Sequence, residues 1–136
     1  MYKRDLITAE IQKLSQALAR LLGLQKEGKE DDALDGLQQV LENDFGILYA
    51  DLLAAGRDDF TAYLEDKNFP SEKLDMLSQF LYLRFNPAVK NEENDALAEK
   101  LALIYQWLEV KFKVVSMNNL SRQSAVSNYL KSQLKG

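Results

Sequence analysis

Apolar residues near the start of the chain recur at helical intervals. Ile7, Ile11, Leu14, Leu18 and Leu21 are spaced by 4, 3, 4 and 3, which puts all five on one side of an α-helix of about six turns. A half-buried strand would instead need apolar residues at every second position. Similar helical spacing returns along the chain with few interruptions, because 136 residues contain two prolines, six glycines and no Gly/Ser-rich or Pro-rich linker. The sequence therefore predicts an all-α protein: six or seven helices, stacked as antiparallel hairpins in a repeat-like bundle, forming one domain over 1–136. A chain of this length buries roughly two-thirds of its unfolded surface and needs no disulfide or metal to hold a core.

Punctuation along the chain divides the helices. Gly28 is expected to stop the first, with Asp31 or Asp32 capping a second whose inner face is Ala33, Leu34, Leu37, Val40 and Leu41. Asn43-Asp44-Phe45-Gly46 reads as a turn. Short helices are expected around Ile47–Leu53, ended by Gly56, and from Asp58 to about Asp66. Pro70-Ser71 opens a clearer helix, with Ser71 as its cap and Leu74, Leu77, Phe80, Leu81 and Phe85 packed inward at the centre of the fold. Beyond Pro87 a long helix is predicted from Glu92 to Lys113, paired with the one before it. Val114 and Val115 suit either a frayed end or a short extended piece. A last helix follows Ser116 or Asn118, carrying Leu120, Val126, Tyr129, Leu130 and Leu134.

The composition closes several chemistries to this chain. With no Cys and no His, it offers no disulfide framework, no Cys/His zinc site, no thiol nucleophile and no Ser-His or Cys-His pair. The glycines are isolated, so no phosphate-cradling loop is present. No apolar run approaches the length of a membrane span, and Glu10, Gln12 and Lys13 interrupt any signal-peptide core. A cytoplasmic location is expected. Neither a cofactor nor a metal is expected, and no residue set points to catalysis.

Gly28, Ala33, Leu37 and Val40 stand in the register of the turn and second helix of a tetratricopeptide unit, so the hairpin from about Ala17 to Leu41 resembles one such repeat. The small residue there lets two helices approach closely. The aromatic and tyrosine positions of that family's first helix are Ala17 and Leu24 here, and the match covers about 25 residues of 136. The resemblance implies a scaffold that binds peptides or proteins. Size and helical make-up suit a small bacterial protein.

Ser121-Arg122-Gln123-Ser124-Ala125-Val126-Ser127-Asn128-Tyr129-Leu130 resembles the recognition helix of helix-turn-helix proteins, with Ala125 as an extra residue that turns Val126 out of register. That resemblance implies base-edge contacts from Arg122, Gln123 and Asn128. Residues 111–136 hold five bases and no acid, whereas residues 1–110 hold 12 bases and 21 acids. The acidic remainder opposes phosphate binding, and the basic helix is expected to pack on it.

The acidic clusters Glu30-Asp31-Asp32, Asp58-Asp59 and Glu92-Glu93 with Asp95 all fall at expected helix starts, where negative charge opposes the helix dipole. The aromatics from Phe80 to Phe112 are expected to fill the core, and Arg84 among them, if buried, needs a carboxylate partner. The coiled-coil-like seam of the first helix suits a second copy of the chain as well as the monomer core. Together these features point to a non-enzymatic protein-interaction or scaffold module, whose partner is another protein or a second copy. The alternative is a nucleic-acid-associated regulator acting through Arg122, Gln123 and Asn128.

Overall fold

A computed structural model describes residues 3–113 and 117–135. Its helices are α1 (Lys3–Lys26), α2 (Glu30–Asp44), α3 (Tyr49–Ala54), α4 (Arg57–Lys67), α5 (Ser71–Arg84), α6 (Glu92–Trp107) and α7 (Met117–Lys135), with a π-helical turn at Leu108–Phe112 between the last two. Among the described residues there is no strand, and no helix is long and apolar enough to cross a membrane. The chain forms two compact units, Met1–Asp51 and Leu52–Gly136.

In the first unit α1 and α2 make a hairpin about Gly28, whose φ of +80° is the left-handed conformation that glycine adopts without a Cβ clash. Ala33, Gly36, Leu37, Val40 and Leu41 are buried on α2, and Leu14 and Leu21 on α1. Gly36 sets the approach, since a Cβ there would collide with Leu21 Cδ2. The expected cap is corrected: Lys29 occupies that position without a side-chain capping bond, and Asp31 and Asp32 sit with Glu30 inside the first turn. The helix starts before the acids, so they meet its dipole instead of accepting its first amides. Asn43 and Asp44 remain helical, and the chain turns at Phe45-Gly46.

In the second unit α4 buries Phe60 and Leu64 and ends at Asn68, which takes a φ of 49°. α5 begins at Ser71 with Pro70 in the cap position. Pro70 provides the extended residue and its carbonyl accepts from Leu74 N–H at 2.9 Å, so Ser71 is the first helical residue and not the cap. Its hydroxyl bonds Glu72 instead. Leu74, Leu77, Phe80, Leu81 and Phe85 are buried as the spacing predicts. The loop to α6 is held by the buried Asn94, which accepts from Asn86 N–H at 3.0 Å and donates to Val89 O at 2.8 Å. Asn91 caps α6 by accepting from Asn94 N–H at 2.7 Å.

α6 packs against α4, α5 and α7 and so takes the central place that the sequence suggests for α5. Its expected continuation to Lys113 is corrected in kind: after Trp107 the bonding widens to a π turn, closed by Lys113 at φ 55°. Val114, Val115 and Ser116 lie outside the described residues, as does the side chain of Leu134. On α7, Val126 and Tyr129 are buried, Leu130 is half-buried and Leu120 is exposed.

Candidate functional site

The outer side of α6 and the π turn face the N-terminal end of α4 across a groove of about 450 Å³. Along α6 the wall is Leu103, Gln106 and Trp107, continued by Val110 of the π turn, at steps of three and four. α4 provides the adjacent Arg57 and Asp58, with Thr61 one turn further on. Val110 is 70% exposed, the largest exposure among the bulky apolar side chains of the described residues. A π turn holds an extra residue in its circuit and re-aims the side chains it carries. Here it falls on Val110 and Lys111. Lys111 closes one end of the groove: its ammonium lies 5.3 Å from the Trp107 ring centre and donates to Asn68 Oδ1 at 3.3 Å, joining the π turn to the end of α4.

Beside this groove, and sharing Arg57, Leu103 and Gln106 with it, is a second cavity of about 320 Å³. Its wall includes Glu99, Lys100, Ala102 and, from α7, Leu130. Lys100 is only 1% exposed. It has no hydrogen bond or ion pair among the described residues, and neither has Arg57. Burial lowers the Lys100 ammonium below its ordinary value, and the adjacent Glu99 carboxylate partly opposes that shift.

A polar network joins α5 to α7 on another side of the unit. Asp75 accepts from Gln79 at 2.8 Å and from Asn119, whose own Oδ1 accepts from Arg122 at 3.1 Å. The Tyr105 hydroxyl is buried without a hydrogen bond among the described residues. Burial is the main cause that pushes it well above its ordinary range, with Arg122 pulling it back.

The residues singled out from sequence separate. Arg84 is half-buried and makes a two-pronged ion pair with Glu93, at 2.9 and 3.3 Å, across the α5–α6 loop. It has the partner the sequence requires and holds the loop. Arg122 is half-buried, tied to Asn119 and 5.8 Å from the Tyr82 ring centre. Gln123 is half-buried in a cleft beside Val126, and Asn128 is exposed. Measured from Arg122, Gln123 and Asn128 lie about 100° and 240° further round α7, so the three share no open face. The acidic clusters occupy first helical turns, and among the described residues no group of acids is placed to hold a metal.

Lys100 was legible in principle. It falls three residues after Leu97 and four before Ile104, on the buried face of α6, and a lysine there is the signal. Nothing local marks Arg57. Comparison with family models, with curated proteins and with solved structures finds no match.

Proposed function

We propose that this protein is a non-enzymatic interaction module that holds an amphipathic segment of a partner protein in the groove between α4, α6 and the π turn. The observation that carries the reading is Val110, 70% exposed beside the half-buried Leu103 and Trp107. An apolar strip of this kind is the usual receptor for an apolar helix face. Arg57 and Lys111 flank it against the single Asp58, so the partner segment carries carboxylates beside its apolar stripe. The hairpin arrangement of α1 and α2, with its repeat-like register, fits a scaffold of this type. A cytoplasmic site of action accords with the absence of Cys.

Selection from a displayed peptide library tests the proposal. Enriched sequences are expected to place apolar residues at steps of three and four with acids between them, and their binding is expected to fall at least about tenfold in Val110→Asp and in Arg57→Glu. No enrichment, or peptides that bind the variants and the parent equally, overturns it. Retention of an oligonucleotide through Arg122 and Lys131, steeply weakened by salt, also overturns it in favour of a nucleic-acid regulator.

A further inference from the structure

The cavity beside Arg57 is lined by two cations, Arg57 and Lys100. Lys100 is 1% exposed, unpaired, and forms part of the wall of a space of about 320 Å³. Its aliphatic stem is buried while the ammonium tip keeps contact with solvent, which leaves the charged end open to a ligand. Arg57, also unpaired among the described residues, lines the same space from α4. The remaining wall is divided between one anion, Glu99, and the apolar side chains of Ala102, Leu103 and Leu130.

We propose that this cavity is a binding site for a monoanionic carboxylate on an aliphatic stem, its oxygens held by Lys100 and Arg57 and its stem lying against Ala102, Leu103 and Leu130. The charge balance selects the ligand. Two cations and Glu99 leave one net positive charge, which a monocarboxylate neutralises and a phosphate dianion exceeds. The guanidinium presents paired donors that match a carboxylate, and the ammonium adds a charge-assisted bond. The lowered basicity of Lys100 in the empty cavity agrees with this assignment, since an incoming anion restores the charged form. This site goes beyond the groove reading and does not depend on it, because Lys100 lines this cavity and not the groove.

Calorimetric titration of the full chain with sodium hexanoate near pH 7 tests the site, with hexylammonium and inorganic phosphate as comparators. Hexanoate is expected to bind saturably, phosphate more weakly and hexylammonium not at all. Lys100→Met is expected to reduce hexanoate affinity at least about tenfold and Arg57→Gln to reduce it less. Hexanoate is also expected to raise the Tm of the parent and not that of Lys100→Met, a variant that retains an apolar filling of the site. An alkanoate series identifies the natural source. Affinity rising about threefold per methylene up to hexanoate marks a free aliphatic acid, and affinity level beyond propionate marks a glutamate side chain. Either slope supports the site. Absence of saturable hexanoate binding, equal binding of hexylammonium, or unchanged affinity in a folded Lys100→Met variant overturns it.

Discussion

A lysine held at 1% exposure with only the adjacent Glu99 carboxylate to offset its burial costs the fold stability, and the sign of that cost with pH follows from the direction of its shift. Arg57 of α4 and Glu99 of α6 are the charged groups around it, while α7 contributes the apolar Leu130. Below its lowered folded value, Lys100 is protonated in both folded and unfolded chains and the burial penalty is complete. As pH rises from there towards the ordinary 10.5, the folded chain releases the proton first and stability increases. Tyr63, Tyr105 and Tyr129 are all raised above 10.0, mainly by burial, so their effect has the opposite sign and erodes stability above that pH. Lys100→Met is expected to stabilise the protein modestly at neutral pH and to flatten the rise below pH 10. Urea denaturation over a pH series measures both. An unchanged slope in the variant assigns the pH dependence elsewhere.

At the scale of elements, two glycines of the first hairpin make opposite predictions. Gly23 lies within α1, and a Cβ there meets nothing within 4 Å, so Gly23→Ala is expected to stabilise by about 0.5–1 kcal/mol through helix propensity alone. Gly36 would gain as much, but its Cβ would strike the Cδ2 methyl of the fully buried Leu21. Gly36→Ala is therefore expected to destabilise by about 1 kcal/mol, and to become neutral or stabilising in a Leu21→Val background, where that methyl is gone. Thermal denaturation of the four chains gives the coupling. Most helices were legible because apolar spacing and breakers act locally: Gly28, Gly56, Pro70 and Pro87 all fall between the observed helices. Caps were harder to read. Ser71 and Asp31 are favoured cap residues by type, yet the backbone geometry of Pro70 and Lys29 starts those helices one or two residues earlier. The π turn was illegible, because Leu108–Phe112 continues an apolar helical pattern and only the closure at Lys113 distinguishes it. The groove shares that obscurity: α4 and α6 approach from distant parts of the sequence, so the nearness of Arg57 to Lys100 has no local trace.

Over the whole molecule, charge and topology divide by unit. Residues 1–51 carry six bases and ten acids, whereas residues 52–136 carry eleven of each. The basic character of the C-terminal segment is thus balanced in net charge within its own unit. The principal packing within the units joins α1 to α2, α5 to α6 and α6 to α7, all neighbours in the chain. Such local pairing requires little loop closure, so refolding is expected on roughly the microsecond-to-millisecond scale. Temperature-jump infrared spectroscopy of the amide band checks this, and a main phase of seconds contradicts it. One wall residue of the groove also has an optical consequence. Trp107 is the single tryptophan of the chain, and it stands in the groove with the Lys111 ammonium over its ring. Any occupant that covers the indole or displaces that cation changes the fluorescence of one known side chain, so the unmodified protein reports the filling of its own groove by the colour and intensity of its emission.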